Sequence, residues 1–173
     1  MLFLKSLNTK RLTKKNILNI CKLKNEYWKY GLQSNLNWFK KNARKSDIHN
    51  LLFHKKILIG YTLLRKRKAF LKKEKKIKRI NYLYFDTLII KKNYRKKNYS
   101  STLMDFNSKK ILSSKLHSFL ICNKYSIKYY KKFKWKVISK NKFKIMDHKS
   151  QKTGMILNSK AKLKKNKILY FLN

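Results

Sequence analysis

The sequence predicts an α/β domain in which a mixed central sheet is flanked by helices. Two segments carry this prediction, Tyr84–Ile111 and Ser118–Trp135, and each runs from an apolar strand pattern into a helical pattern. The third observation is the order of elements along the chain, β-α-α-β-β-β-α-β-α-β-β. The 173 residues are enough for one such domain with a single core.

The N-terminal elements are predicted from alternation and from capping residues. Residues 2–7 alternate weakly, as in a first strand. Thr13 is expected to cap a helix with one apolar face, and Gly31 is expected to end it. Ser34 is expected to cap a second, shorter helix that continues to about Ala43.

The remaining elements follow from the same patterns and from turn residues. Strands are predicted over residues 49–54, 57–65, 81–90, 117–123, 135–138 and 154–157. Helices are predicted over residues 99–114 and 124–133. The Lys-rich stretch 72–79 is either a solvated loop or the end of a hairpin. Residues 1–158 would then form the domain, and residues 159–173 a basic tail that is either an edge strand or loose chain.

The charge of the chain is extreme, because 48 Lys and Arg residues face 6 Asp and Glu residues and give a net charge of +42. Such a surface attracts nucleic acid, anionic lipid and phosphorylated ligands, so non-specific polyanion binding is expected. The same composition, rich in Lys and Asn with 3 Gly and no Pro, is also typical of an AT-rich coding sequence. A basic nucleic-acid- or ribosome-associated binding protein is therefore the alternative function. With 43% hydrophobic residues, disorder throughout is excluded.

Several function classes lack their sequence signals. Cys21 and Cys122 lie outside any CxxC pattern and are expected to be core residues in a reducing cytosol, which predicts a cytoplasmic protein. The N-terminus lacks a signal-peptide pattern, and no apolar run approaches the ~20 residues of a membrane span. The four histidines lack metal-ligand spacing, so no metal is expected.

A basic loop joins the predicted strand 81–90 to the predicted helix 99–114. It places positive charge and free N–H groups at a helix N-terminus, an arrangement that suits a phosphate group. Asn98 is the kind of non-glycine residue that tolerates a positive φ. Taken alone, the loop is also what a plain exposed basic turn would look like. Its residues are Arg95, Lys96, Lys97, Asn98, Tyr99, Ser100 and Ser101.

The second segment has a matching pattern. Asn123 ends its strand, Tyr130 follows seven residues later, and Lys134 and Trp135 close the segment. On its own, Tyr130 is also consistent with a half-buried aromatic residue whose hydroxyl is exposed to solvent. The adjacent Tyr129 is an alternative candidate for any role.

Together, the two segments resemble the acetyl-CoA-binding core of the GCN5-related N-acetyltransferases over roughly residues 2–158. In that family the loop reads Arg or Gln, two variable residues, Gly, one variable residue, then Gly or Ala. Here Asn98 and Ser100 occupy the two small-residue positions, and Lys134 stands where the family has Gly in the second segment. If Lys134 is left-handed, it costs on the order of 1 kcal/mol. A degenerate fold that binds CoA poorly is a third hypothesis.

The resemblance implies direct transfer of an acetyl group from acetyl-CoA to a primary amine of a small molecule. The basic loop would hold the CoA pyrophosphate, and Leu88, Ile89 and Ile90 would line the pantetheine. Asn123 would hydrogen-bond near the pantetheine arm, and Tyr130 would protonate the departing thiolate. Because relatives of this kind are often dimers, a homodimer is one arrangement that the resemblance allows.

The resemblance also implies a general base, and Asp86 is the candidate. Of the six acidic residues, Asp86 alone falls inside a predicted strand, where an Asp is unfavourable unless it has a role. The remaining acidic residues are Glu26, Asp47, Glu74, Asp105 and Asp147. The simpler interpretation is a strand Asp that is paired with a nearby Lys.

The neighbourhood of Asp86 is similar to that of the aminoglycoside 2′-N-acetyltransferases. Those enzymes have an acidic residue nine positions before the loop Arg, a His before the first hairpin strand, here His49, and a Ser-x-Leu-Met-Asp helix start, here 101–105. By that resemblance Asp86 would be the base, acting through water. His49 or His54 could face the acceptor site, although such residues are more often ordinary surface groups. A chain of charge +42 should repel a polycationic aminoglycoside, so we favour an amino sugar, in particular an anionic or nucleotide-linked conjugate. A protein or peptide amine is the other acceptor.

Overall fold

A computed structural model describes residues 1–73, 76–145, 152–158 and 167–171 of the protein. The helices are α1 (Lys14–Tyr27), α2 (Leu32–Asn42), α3 (Tyr99–Ser113) and α4 (Ile127–Lys131). The strands are β1 (Leu2–Asn8), β2 (Ile48–His54), β3 (Ile57–Lys73), β4 (Lys76–Ile90), β5 (His117–Cys122), β6 (Lys136–Ile138), β7 (Phe143–Ile145), β8 (Thr153–Leu157) and β9 (Lys167–Phe171). Parallel and antiparallel pairs both occur, so the mixed sheet with flanking helices that the sequence predicts is confirmed.

The chain divides into two compact units, and β3, β4 and α3 each contribute residues to both. The first unit consists of residues 1–65 and 86–107. In it, β1 pairs antiparallel with β2 along its whole length, and β2 pairs antiparallel with the first part of β3. Its largest core joins α1 and α2 to these strands through apolar residues that include Ile20, Phe39 and Leu63.

The N-terminus of α1 is capped as the sequence predicts. The Thr13 hydroxyl accepts a hydrogen bond from the Asn16 N–H at 3.1 Å, and the Asn16 side chain accepts one from the Thr13 N–H at 3.2 Å. These reciprocal bonds form a capping box, which satisfies N–H groups that would otherwise lack partners.

The predicted connection between α1 and α2 is wrong. Helix α1 ends at Tyr27, since Trp28 already has an extended backbone conformation. Gly31, with φ +87°, does not end α1 but directly precedes α2, and it takes a conformation that only glycine adopts readily. Because α2 begins at Leu32, Ser34 lies inside its first turn rather than at its cap.

The second unit consists of the described residues of 66–85 and 108–171. The first part of β4 pairs in parallel with β5 over residues 82–84, β5 pairs antiparallel with β8, and β8 pairs antiparallel with β6. Strand β9 pairs antiparallel with the outer part of β3 and in parallel with β7. Phe119, Phe143 and Ile156 contribute to the core of this unit.

Strands β3 and β4 are much longer than the sequence predicts. The stretch 72–79 is strand up to Lys73 and again from Lys76, so the hairpin interpretation is correct and the loop interpretation is wrong. The Lys-rich sequence alone does not indicate a strand here. Residues 69–73 form one because they pair with β9. Glu74, in the same stretch, lies outside the described residues.

The C-terminal part corrects three further expectations. The predicted helix 124–133 is a 3₁₀ turn at 124–126 followed by the short α4. Strand β7 was not predicted. The tail contributes β9 over Lys167–Phe171, and since β9 pairs with both β3 and β7 it is a strand of the sheet but not an edge strand. Residues 159–166, 172 and 173 of the tail, together with Asp147, lie outside the described residues.

Candidate functional site

The loop between β4 and α3 has an unusual main-chain conformation. Lys96 has φ +63° and Asn98 has φ +55°, so the left-handed position expected at Asn98 is confirmed and a second one precedes it. In residues 96–102, the first main-chain N–H that finds a carbonyl within the described chain is that of Thr102, which donates to the Asn98 oxygen at 3.1 Å. The preceding N–H groups at the start of α3 are therefore available to an anion.

The basic side chains of this loop divide into two groups. Arg95 donates from Nε to the Ile90 carbonyl at 3.1 Å and stacks its guanidinium 5.6 Å from the Tyr27 ring, so that it ties the loop to the end of β4 and to α1. Lys96 and Lys97 are exposed. The free positive charge of the loop thus comes from the two lysines, whereas Arg95 mainly holds the loop in place.

Helix α3 is held behind this loop by close packing and by a buried polar network. A Cβ on Gly60 of β3 would lie 2.9 Å from Ile90 and 3.1 Å from Leu103, so the missing side chain lets strand and helix approach closely. Asn107 of α3 is fully buried and accepts hydrogen bonds from Asn50 at 2.9 Å and from Thr62 at 3.0 Å. Sequence analysis missed this network, because each member is an ordinary polar residue until the chain is folded.

The predicted pantetheine residues are mostly core residues. Ile89 is 2% exposed and Ile90 is 7% exposed, and Leu88 is half-buried and packs against the same apolar cluster as Ile90. Ile89 and Ile90 pack into two different apolar clusters, so their side chains are not free to line a ligand. The parts of this strand end that a ligand can reach are its main chain and the partly exposed side chains of Leu88 and Asp86.

Asp86 lies in a pocket of the first unit. Its Oδ2 atom is 3.6 Å from Nη1 of Arg65 of β3, and Lys24 of α1 lines the same pocket, so both an arginine and a lysine lie near this carboxylate. Both side chains are partly exposed, at 22% for Asp86 and 17% for Arg65. The pocket has a volume of about 400 Å³ and is lined by Lys24, Trp28, Tyr30, Ser34, Asn35, Trp38, Asp86 and Thr87.

His49 does not lie in this pocket and is not a surface residue. It is fully buried, with Nε2 2.8 Å from the Thr9 hydroxyl and Nδ1 2.8 Å from the Tyr61 hydroxyl. Burial lowers the pKa of His49 to about 4. The expectation that His49 could face the acceptor is therefore wrong, because both ring nitrogens are engaged inside the core. His54 is also not at the surface: it is half-buried and packs against Tyr94 and Tyr99.

The second unit contains the other two predicted site residues. The Asn123 side chain is exposed and makes no capping hydrogen bond, while its carbonyl accepts from the Ser126 N–H at 3.0 Å. Tyr130 lies near the end of α4 rather than at a helix start, with its ring 6.1 Å from Phe85 and 6.4 Å from Trp135. The hydroxyl oxygen of the competing Tyr129 is buried.

Lys134 has the strained conformation that the family comparison raised. Its φ is +64°, and its N–H donates to the Lys131 carbonyl at 3.0 Å. The turn places Trp135, which is 1% exposed, beneath Phe85 and Tyr130. Lys134 therefore takes a left-handed conformation at the position where the family that the sequence resembles has Gly, at a cost of about 1 kcal/mol.

The structure thus brings Asp86, residues 88–90 and the loop 95–101 together in the first unit, and Asn123 and Tyr130 together in the second. Among the described residues, no group of three or more His, Cys, Asp or Glu side chains is arranged to hold a metal ion. No helix in the described part of the chain is both long and apolar enough to cross a membrane.

Comparison with known proteins identifies the fold. No protein-family model and no curated protein matches the sequence. Among solved structures, an acyl-CoA N-acyltransferase from Pseudomonas aeruginosa is similar with a TM-score of 0.65 and 12% identity, over 90% of this chain and 99% of that one. Escherichia coli ElaA is similar with a TM-score of 0.64 and 12% identity, over 90% and 99% of the two chains.

An aminoglycoside 6′-N-acetyltransferase solved with coenzyme A is similar with a TM-score of 0.62 and 12% identity, over 88% of this chain and 96% of that one. These similarities extend over nearly the whole of each protein, and they show that this chain has the acyl-CoA N-acyltransferase fold.

Proposed function

We propose that this protein transfers the acetyl group of acetyl-CoA to a primary amine. One observation carries the proposal: a run of unpaired main-chain N–H groups at the start of α3, next to the exposed Lys96 and Lys97, on this fold. Amide donors and the positive end of a helix dipole together form a phosphate site. A pyrophosphate bound there would offset the positive charge of both lysines and would accept hydrogen bonds from the main-chain N–H groups.

The rest of the cofactor would follow from this anchor. The main chain of residues 88–90 would lie along the pantetheine, since two of the three side chains are committed to the core. The exposed amide of Asn123 would hydrogen-bond near the same arm of the cofactor. The left-handed Asn98 supports this arrangement, because the loop keeps the family's sharp turn without the family's glycine.

The reaction requires two proton transfers. The amine nitrogen attacks the thioester carbonyl, a C–N bond forms, and the C–S bond breaks. In our proposal Asp86, acting through water, accepts the proton that the amine loses, and Tyr130 donates a proton to the departing thiolate. The burial of the Tyr129 hydroxyl favours Tyr130 over its neighbour for this role.

For the acceptor we propose a small-molecule amine, with an amino sugar that carries an anionic group as the favoured class. The pocket beside Asp86 has a suitable size, because small-molecule sites span roughly 300–1,000 Å³ and this one measures about 400 Å³. The burial of His49 removes one of the residues that linked the chain to aminoglycoside 2′-N-acetyltransferases. We therefore do not extend the proposal to aminoglycosides.

The high net charge favours a second candidate, a basic protein that binds nucleic acid. A nucleic-acid-binding function does not explain why the basic loop and the tyrosine segment occur together, whereas acetyl-CoA transfer explains both. We treat polyanion binding as an accompanying property of the surface, and as a control in every binding experiment.

Paired charge variants test the cofactor site. The variant Lys96→Ala/Lys97→Ala removes two loop charges, and Lys14→Ala/Lys15→Ala removes two exposed charges from the start of α1. Hydrogen bonds to charged groups contribute about 1.5–3 kcal/mol each, so the loop variant should bind acetyl-CoA at least about tenfold more weakly. The control variant should bind as the wild type does, and equal weakening in both variants would reduce the loop to a non-specific basic surface.

Paired catalytic variants test the chemistry. In an assay of free thiol released from acetyl-CoA with a panel of primary amines, Asp86→Asn and Tyr130→Phe should lower kcat by about a hundredfold, a usual contribution of general acid–base catalysis. Tyr129→Phe is the matched control and should retain most of the activity. Full activity of Asp86→Asn would remove Asp86 from the mechanism.

A further inference from the structure

The pocket beside Asp86 contains a buried cation without a matching anion. Lys24 lies in the last turn of α1 and is 8% exposed. Its ammonium nitrogen lies 3.7 Å from the centre of the Trp38 ring and 5.8 Å from that of Trp28. Within the described part of the chain, this ammonium forms no hydrogen bond and no salt bridge.

The nearby charges do not compensate Lys24. Asp86 favours its charged form, but Arg65, which is paired with Asp86, opposes it. Burial is the larger effect and lowers the pKa of Lys24. A buried charge is unfavourable unless it is paired and hydrogen-bonded. Contact with the Trp38 ring recovers part of this cost through a cation–π interaction, but it leaves the ammonium N–H donors without acceptors.

The remaining walls of the pocket are aromatic. Trp28 and Trp38 are half-buried, and Tyr30 is 72% exposed at the outer side. Since Lys24 already lies over the Trp38 ring, Trp28 and Tyr30 are the rings that remain available to a ligand. Such rings pack well against flat groups.

We propose that this pocket takes an acceptor that carries an anionic group, a phosphate or a carboxylate, at Lys24 and a flat ring against Trp28 and Tyr30. The inference rests on the proposed function, because it places the acceptor amine beside Asp86. Lys24 is then a specificity-determining residue: its unused donors hydrogen-bond the anion, and the ligand neutralises a charge that the protein alone leaves unpaired. A neutral amine of the same shape does not pair with the Lys24 ammonium. The buried charge then stays unpaired, and the amine binds less tightly.

Matched pairs of amines test this inference. Tryptamine and tryptophan differ by a carboxylate, and glucosamine and glucosamine 6-phosphate differ by a phosphate. Binding is followed by isothermal titration calorimetry in the absence of acetyl-CoA, because tryptamine and tryptophan fluoresce themselves, and acetylation is followed through thiol release. The anionic member of at least one pair should bind about tenfold more tightly than the neutral member, which corresponds to one charge-assisted hydrogen bond. The pair that shows the preference identifies the source of the anion.

The substitution Lys24→Met keeps the length of the side chain and removes its charge. It should abolish the preference by raising the KM and the dissociation constant of the anionic amine at least tenfold, with little change for the neutral one. Lys22→Met, an exposed site on the same helix, removes the same charge and should preserve the preference. Thermal unfolding of both variants shows whether the fold is retained.

Three results would overturn the inference: binding of the neutral member that is as tight as or tighter than that of the anionic member in both pairs, an equal loss of affinity for both members in Lys24→Met, or the same loss of preference in Lys22→Met as in Lys24→Met. Acetyl-CoA binding in the same preparations separates the two proposals. If acetyl-CoA binds normally while no amine pair shows the anionic preference, the Lys24 inference fails and the proposed function stands. If acetyl-CoA does not bind but the preference is present, the proposed function fails and the pocket is an anion site of another kind.

Discussion

The buried His49 predicts a specific pH dependence of stability. Its two ring nitrogens contact the hydroxyls of Thr9 and Tyr61, each at 2.8 Å, and the side chain has no exposed surface. Burial lowers its pKa to about 4, whereas an exposed histidine in the unfolded chain titrates near 6.5. Between these two values the unfolded chain binds a proton that the folded protein does not bind. The free energy of unfolding should therefore fall as the pH falls through this window.

The size of the effect follows from the difference between the two pKa values. One pKa unit corresponds to about 1.36 kcal/mol, so a separation of roughly 2.5 units amounts to about 3 kcal/mol. This contribution is fully present above about pH 6.5 and is largely lost near pH 4. For a domain of ordinary stability, which is about 5–15 kcal/mol, that loss is a large fraction.

The assay is urea denaturation of the wild type and of His49→Gln across this pH range. Glutamine keeps one donor and one acceptor but does not titrate, so subtracting the two curves removes the effect of the other ionisable groups. At neutral pH the variant should be less stable than the wild type, and the gap should shrink by about 3 kcal/mol between pH 7 and pH 4. Parallel curves would refute the assignment of His49 as a buried neutral histidine.

Three further substitutions test the framework around the site, each by urea denaturation. Lys134→Gly relieves the left-handed strain at φ +64° and should stabilise the protein by up to about 1 kcal/mol, and a loss of stability would contradict this. Gly60→Val places a side chain against a β4 methyl group 2.9 Å from the Cβ position and should destabilise by about 1–3 kcal/mol, with weaker acetyl-CoA binding. Wild-type stability in that variant would mean that α3 has room to move. Asn107→Leu removes the acceptor that the buried Asn50 and Thr62 share and leaves Thr62 without its acceptor, while Asn50 still donates to Thr62 at 3.1 Å. It should cost about 1–3 kcal/mol, so an unchanged midpoint would argue against the network.

The sequence predicts well those features that depend on local pattern. The strand, basic loop and helix over residues 81–114 are recognisable because apolar alternation, a run of Lys and helical periodicity follow one another directly. Thr13 and Asn98 belong to the same class, since capping and positive φ depend on the residue and its immediate neighbours. The location of Asp86 in a pocket is also accessible from sequence, because an acidic residue inside a strand is unusual.

Features that depend on tertiary pairing could not be predicted. The outer part of β3 is rich in Lys and becomes strand because β9, almost a hundred residues later, pairs with residues 69–73. The break after α1 is similar: Tyr27 and Trp28 continue the helical pattern, but the chain leaves the helix there, and Gly31 serves the next helix instead.

The burial of single polar residues could not be predicted from the sequence either. Lys24 is one of many lysines in the sequence, and nothing in its local pattern separates it from the exposed Lys22 two positions earlier. Its pocket forms only when α1, α2 and β4 come together. The burial of His49 was missed as well, because the sequence left open a position at the acceptor site or at the surface and the fold places His49 in the core.

The central claim is that the β4–α3 loop binds acetyl-CoA, and calorimetric titration tests it most directly. Acetyl-CoA is titrated into the protein at about 50 and about 200 mM salt, with a short DNA duplex as the control ligand, because non-specific DNA binding falls steeply over this range. We predict saturable one-to-one binding of acetyl-CoA that persists at the higher salt, while DNA binding is largely lost. Binding of DNA without any binding of acetyl-CoA would contradict the claim and would leave a basic binding protein on an acyltransferase fold.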